Sequence, residues 1–267
     1  ETGKPIGRCL IGDAPPERVS RFCGILQGYL GYSTVFRAPV ASIIGLRLGL
    51  TGWLMLWVML VMVPFALLIG VLAGMREGSR LDRALSVFSI ATTATPEYVS
   101  GVVFIAIFAS IGGGLQWFKA SAASAMEHIT FENFTLPVLT MALYGMGYVA
   151  RMTRASMAEV MTAQFIRTAH LKGLSFGTVV LRHALRNALI APFTVIMLQF
   201  PWLLTGVVIV EVMFRYQGFG YTLVEAAGNN DIDLLLGCSL VSVFIVLITQ
   251  LISDVGYAFL NPRIRVQ

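Results

Sequence analysis

Charge is what this 267-residue sequence has least of: Asp, Glu, Lys and Arg make up 12% of it, against 57% hydrophobic residues. A water-soluble domain carries roughly 25% charged residues, so that class is excluded. Mean hydropathy is +0.78, in keeping with this. Cysteine is scarce too. Cys9, Cys23 and Cys238 are too few for a disulfide-built scaffold, although a Cys9–Cys23 pair stays open. His128, His170 and His183 are scattered, and no Cys/His spacing suits a metal. No phosphate-cradling lysine loop, nucleophile elbow or zinc-binding helix motif occurs. No catalysis, metal, bound cofactor or nucleic acid is therefore expected of this chain.

What is present is long uncharged runs. A helix crosses the bilayer core with about 20 apolar residues, and lipid-facing backbone must bond within its own segment, so these runs read as helices rather than strands. Five stand out: about Leu50–Gly74, Ala84–Ile111 (interrupted by Pro96 and Glu97), a short one at Phe134–Ala150, Ala188–Phe214 and Leu234–Leu260. The fold class expected is an all-α polytopic membrane protein with five visible spans.

The basic residues orient it. Connections 75–83 and 151–187 and the tail 261–267 hold eleven Lys and Arg, whereas 112–133 and 215–233 hold only Lys119 and Arg215. The positive-inside rule puts the first set and the C-terminus in the cytoplasm. Residues 1–49 then form an external segment, 50–260 the transmembrane region and 261–267 a cytoplasmic tail, and a further span is expected before residue 1. The rival is a cytoplasmic N-terminus.

One stretch is basic without any acid: "RTAHLKGLSFGTVVLRHALRN", 167–187. It reads as amphipathic helix, Gly173, amphipathic helix, and a glycine there permits the positive φ of a sharp turn. The bland reading is a loop held inside by its charge or touching anionic lipid. However, "RTAHLKGLS" followed by "RHALRNAL" resembles the cytoplasmic loop of permease subunits of binding-protein-dependent ABC importers, in the dipeptide, oligopeptide and nickel branch. "GYLGYSTVFRAPV" (28–40), "VVIVEVMFRYQGFGYTLVEAA" (207–227) and "YAFLNPRIR" (257–265) are similar to further segments of that family, in its B-type subunit. Gln217 and Asn261 depart from it, where proline and aspartate are usual.

The resemblance implies a type I ABC importer permease fold, in a bacterial inner (plasma) membrane. It also implies a homologous second permease, two ATP-binding subunits that carry ATP and Mg, an external solute-binding protein, and lipid around the spans. It makes 151–187 a cytoplasmic coupling loop docking on an ATPase through Arg167, Thr168, Ala169, Lys172, Gly173, Leu174, Ser175, His183 and Arg186, with Thr168 and Ala169 presented to the partner. Arg154 is expected to lie outside that contact, so that its loss is mild. Candidate pathway or gate residues are Pro96 and Glu97 at depth in the second span, Glu211, and Gly218, Gly220 and Asp231 in an external loop that dips back. Asp254 matches a family position too. Gly145, Gly147 and "SIATTATPEYVSG" offer small faces where helices can approach. The implied cargo is a di- or oligopeptide, with a nickel chelate or opine-type solute as alternative. A secondary transporter or channel would need inverted repeats or a midplane ion site, and neither is evident.

Overall fold

The computed structural model describes residues 29–110 and 114–260, without the side chains of 204–206 and 257–260. The readings made for residues 1–28, Cys9 and Cys23 among them, and for the tail 261–267 lie outside the described residues.

Helix α1 (Val40–Gly74) starts ten residues before the expected Leu50. The sequence places Arg47 there, which breaks the apolar run. In the fold Arg47 is only 8% exposed and donates to the Gln217 carbonyl at 2.6 Å, so its charge is met and the helix continues through it.

The second expected span is not one helix. It is α2 (Arg80–Ala94) and α3 (Glu97–Phe108), bent by 105°. Pro96 causes the break: its ring drives the preceding residue out of the helical region, and Thr95 sits at φ −90°, ψ 120°. Ser79 starts α2 by accepting a hydrogen bond from the Asp82 amide.

Helix α4 (Phe131–Met161) is opened by a reciprocal Thr130/Asn133 cap and runs well past Ala150, the expected end. The basic stretch folds as α5 (Gln164–Leu171), α6 (Phe176–Thr178), a π-helical turn (Val179–Ala184) and α7 (Leu185–Ala188). It meets α8 (Ile190–Phe214) at a 48° bend. Then come α9 (Phe219–Gly228) and α10 (Ile232–Leu260). No strand occurs among the described residues, which hold only an isolated Tyr32–Pro39 bridge.

The five expected spans thus correspond to α1, the α2/α3 pair, α4, α8 and α10. Among the described residues α1 and α10 are long and apolar enough to cross a membrane as single helices, and α2 with α3, and the segment from α6 through residue 203, are so as bent pairs. Helix α4 escapes that demand because it is central. It packs on α1, α2, α3 and α8, so neighbours rather than lipid cover it. The main core joins Leu54, Val58 and Met62 of α1 to Leu136, Met141 and Val149 of α4 and Val195, Leu203 and Val207 of α8.

Arg154 bonded to Asp82, and the Ser156 hydroxyl donating to the Ala188 carbonyl at 2.8 Å, gather the start of α2, the end of α4 and α7 at one end, the basic end. Thr51 with Glu211 and Ser33 with Asp231 gather the starts of α1 and α10 and the end of α8 at the opposite end.

Candidate functional site

At the basic end, α5 buries Ile166 and Ala169, which share a helix face. They pack with Met157 of α4 and with Val179, Val180, Ala184 and Ala188, so the loop has a small core of its own. Ala169, expected to face a partner beside Thr168, therefore faces inward. Arg167, Thr168, Lys172, Gly173, Leu174 and Ser175 are exposed. His183 is half-buried in the π-helical turn and Arg186 is exposed on α7.

Gly173 closes α5 at φ +76°. Its amide donates to the His170 carbonyl at 2.9 Å and the Leu174 amide to Ala169 at 3.3 Å, a helix-ending pattern that needs a left-handed residue. A Cβ at Gly173 would meet nothing within 4 Å, so the backbone angle, not space, demands glycine. The Arg76 guanidinium lies 5.1 Å above the Phe176 ring, which leans the loop on the α1–α2 connection. Leu171, not singled out from the sequence, is 80% exposed, and with Leu174 at 37% it gives the turn an apolar tip.

At the opposite end Glu211, Gly218 and Gly220 meet. Arg215 ends α8 in the left-handed region, and the Tyr216 amide turns back to the Glu211 carbonyl at 2.8 Å. The Tyr221 amide then donates to Glu211 Oε2 at 2.9 Å, the Thr51 hydroxyl donates to Oε1, and the Phe219 amide donates to Thr51 Oγ1 at 2.8 Å. A Cβ at Gly218 would lie 2.1 Å from Glu211 Oε1. One at Gly220 would lie 2.8 Å from the Val208 Cα. Glu211 is fully buried and its bonds are used up within the fold, so it latches α8, α1 and the start of α9 together.

Asp231 belongs to a different contact. It accepts from the Ser33 hydroxyl and from the amides of Val35 at 3.2 Å and Leu234 at 3.3 Å, tying the segment before α1 to the start of α10. Burial pushes its carboxyl up, but these hydrogen bonds outweigh that and hold it below the usual carboxylate range.

Pro96 and Glu97 lie apart from both. Glu97 opens α3 at the break instead of sitting inside a continuous helix, and is half-buried with no ion-pair partner among the described residues. Its charge falls at a helix N-terminus, where the dipole favours it. The exposed Asp254 accepts from Gln250 within α10 at 3.0 Å. The candidate gate residues are thus spread over separate places. Among the described residues no three metal-capable side chains cluster.

Arg154 is not the bystander expected. Its Nε and Nη2 reach the two oxygens of Asp82 at 3.0 and 2.8 Å, and Nη2 lies 3.4 Å from Glu77. The Asp82 side chain is 3% exposed and also accepts from Ser86 and the Gly78 amide, so this cluster pins α2 to α4.

Residues 66–266 match the family described as binding-protein-dependent transport system inner membrane component. The chain belongs to that family. It is a permease subunit of a binding-protein-dependent ABC importer. Its relatives include the glutathione transport system permease protein GsiC of Escherichia coli O6:H1, 34% identical over 90% of this chain and 76% of that protein. A probable peptide ABC transporter permease protein, y4tP of Sinorhizobium fredii, is 31% identical over 90% of this chain and 77% of that protein. The crystal structure of an amino acid ABC transporter with histidines superposes with a TM-score of 0.59 at 13% identity, covering 81% of this chain and 94% of that chain. That likeness carries the fold, a type I importer permease.

Two features of this permease were open to a closer reading of its sequence. Ile166 and Ala169 define the buried stripe of α5, and Leu171, two residues on, falls off that stripe. Asp82 stands three residues after Ser79, a recognisable helix start. Nothing local points across 72 residues from Asp82 to Arg154.

Proposed function

We propose that this permease subunit imports peptide-like solutes, and that its 164–188 loop is where a cytoplasmic ATPase partner drives it. The observation that carries the second statement is the apolar tip, Leu171 and Leu174 around Gly173, standing out from a loop with its own core. A rigid loop can transmit a push, and an exposed apolar tip fits a cleft. The basic end is then cytoplasmic, as the distribution of Lys and Arg favours, and the C-terminus with it. ATP and Mg belong to two ATP-binding subunits, a second permease supplies the other half of the pathway, and an external binding protein delivers the solute. The peptide-like cargo is supported by the names of the relatives, a glutathione and a probable peptide permease.

Leu171→Glu tests the loop. In the complete complex it should abolish ATP hydrolysis stimulated by loaded binding protein, or release the ATPases on purification, while the chain still reaches the membrane in normal amount. Stimulated hydrolysis at the wild-type rate would overturn the coupling reading. Import of dialanine, trialanine or glutathione by the wild-type complex tests the cargo.

A further inference from the structure

Halfway along the bundle, where α4 and α8 face the last turn of α2, Thr93, Tyr144, Tyr148, Gln199 and Trp202 line a concavity of about 150 Å³. Trp202 stacks on Tyr144 with ring centroids 4.6 Å apart and planes 13° from parallel. Gln199 is 7% exposed and its amide nitrogen reaches the Gly145 carbonyl at 3.5 Å. Its other amide end has no hydrogen-bond partner among the described residues, and neither do the hydroxyls of Tyr144 and Tyr148. Thr93 donates to the Ser89 carbonyl at 2.7 Å, which leaves its oxygen free to accept.

Lipid does not satisfy such groups, because an unpaired polar group in hydrocarbon costs several kcal/mol. The lipid-like face of this chain looks different: Leu236, Leu240, Val243, Phe244 and Leu247 of α10 form an apolar surface with Ser239 as its one polar member. The concavity is therefore built for something polar. Its five lining side chains are neutral, and the Arg151 guanidinium lies 5.9 Å from the centre of the Tyr148 ring. Its chemistry is an amide, two phenols and a flat aromatic stack. The amide and phenols can pair with N–H and C=O groups, and the stack can cover a planar peptide unit.

We propose that this concavity is where the chain touches its cargo, and that it reads the neutral amide groups of a short peptide irrespective of side chains. The proposal rests on the peptide-import reading above. Selection by the backbone amide suits a route that passes many sequences, since every peptide carries it.

The test uses the whole complex, with second permease, ATPases and binding protein, in proteoliposomes with labelled dialanine. Gln199→Leu and Tyr148→Phe should each lower the dialanine imported per ATP hydrolysed about ten-fold, the effect of one lost hydrogen bond at a site. Hydrolysis stimulated by loaded binding protein should stay near wild type, and Val243→Ala on α10 should change neither. Tyr148 is 43% exposed, so Tyr148→Cys should fold and gives a second reading. With Cys9, Cys23 and Cys238 replaced, its thiol should react with a polar methanethiosulfonate. If the wild type imports dialanine and both variants import as much per ATP, or if the thiol does not react, the concavity is not the contact. Loss of the second permease from the variants, with normal coupling in the complexes that remain, would make this surface a permease–permease interface and overturn the proposal. A wild-type complex that imports no peptide would overturn the cargo reading, and this proposal with it.

Discussion

Arg154 makes a two-pronged contact with Asp82, a carboxylate almost wholly buried. Removing the guanidinium leaves that charge in the fold without its main partner. Arg154→Gln should destabilise the purified permease by about 2 kcal/mol, less than a fully buried pair because Arg154 is one-third exposed to water. Thermal unfolding in detergent measures it, and Asp82→Asn in the same background should recover part of the loss. An unchanged midpoint for Arg154→Gln would mean the pair is not holding α2 to α4. The sequence presents Arg154 as one more positive charge at a span's end, because its meaning depends on a contact that only the packed bundle creates. Glu97 misleads for a related reason. An acid within an apolar run looks deeply buried, but the break beside it turns it into the first residue of a new helix.

Helix ends follow from local chemistry more closely than helix angles do. Pro96 marks the break in the second span through its ring, but nothing local to it specifies the 105° turn between α2 and α3, which both pack on α4. The start of α1 is hidden because Arg47 finds its hydrogen-bond partner in a carbonyl 170 residues away. Gly173 is the opposite case, for its role is readable from the motif and the backbone has the angle it suggests. Left-handed backbone costs a residue with a Cβ roughly 1–2 kcal/mol, and less for asparagine. Solute-stimulated ATP hydrolysis should therefore fall in the order glycine, Gly173→Asn, Gly173→Ala, Gly173→Val, with membrane levels of the chain unchanged throughout. Since nothing lies near a Cβ at this position, equal activity across the series would show that the angle at the turn does not matter.

The molecule as a whole is held by the contact between α1 and α4. A Cβ at Gly70 would lie 2.3 Å from the Thr153 Cβ and 2.6 Å from the Ala150 carbonyl oxygen, so the two helices touch backbone to backbone there. Gly70→Ala should separate them and lower stability by roughly 1–3 kcal/mol, the usual range for overpacking, with a lower unfolding midpoint as the measured sign. Gly52→Ala, on the same helix with nothing within 4 Å of its Cβ, should not lower the midpoint and serves as the comparison. Gly145 and Gly147 are legible as small faces on α4, and they do meet Met62 of α1 and Thr92 of α2. Gly70 is not, because α1 is apolar all round and no periodicity tells which side meets a neighbour. The long apolar runs, by contrast, depend on length and composition alone, and those of α1 and α10 could be read directly.

Helix α4 at the centre is also a long helix poorly suited to enter a bilayer unaided. Its hydroxyls, glycines and charged last turns are tolerable only against α1, α2 and α8. On its own hydropathy α1 should partition into lipid unaided, and α4 should lodge by docking on it. The order of these two helices along the chain is thus a condition of biogenesis: a version with α4 synthesised first would offer the insertion machinery a segment it has little reason to retain.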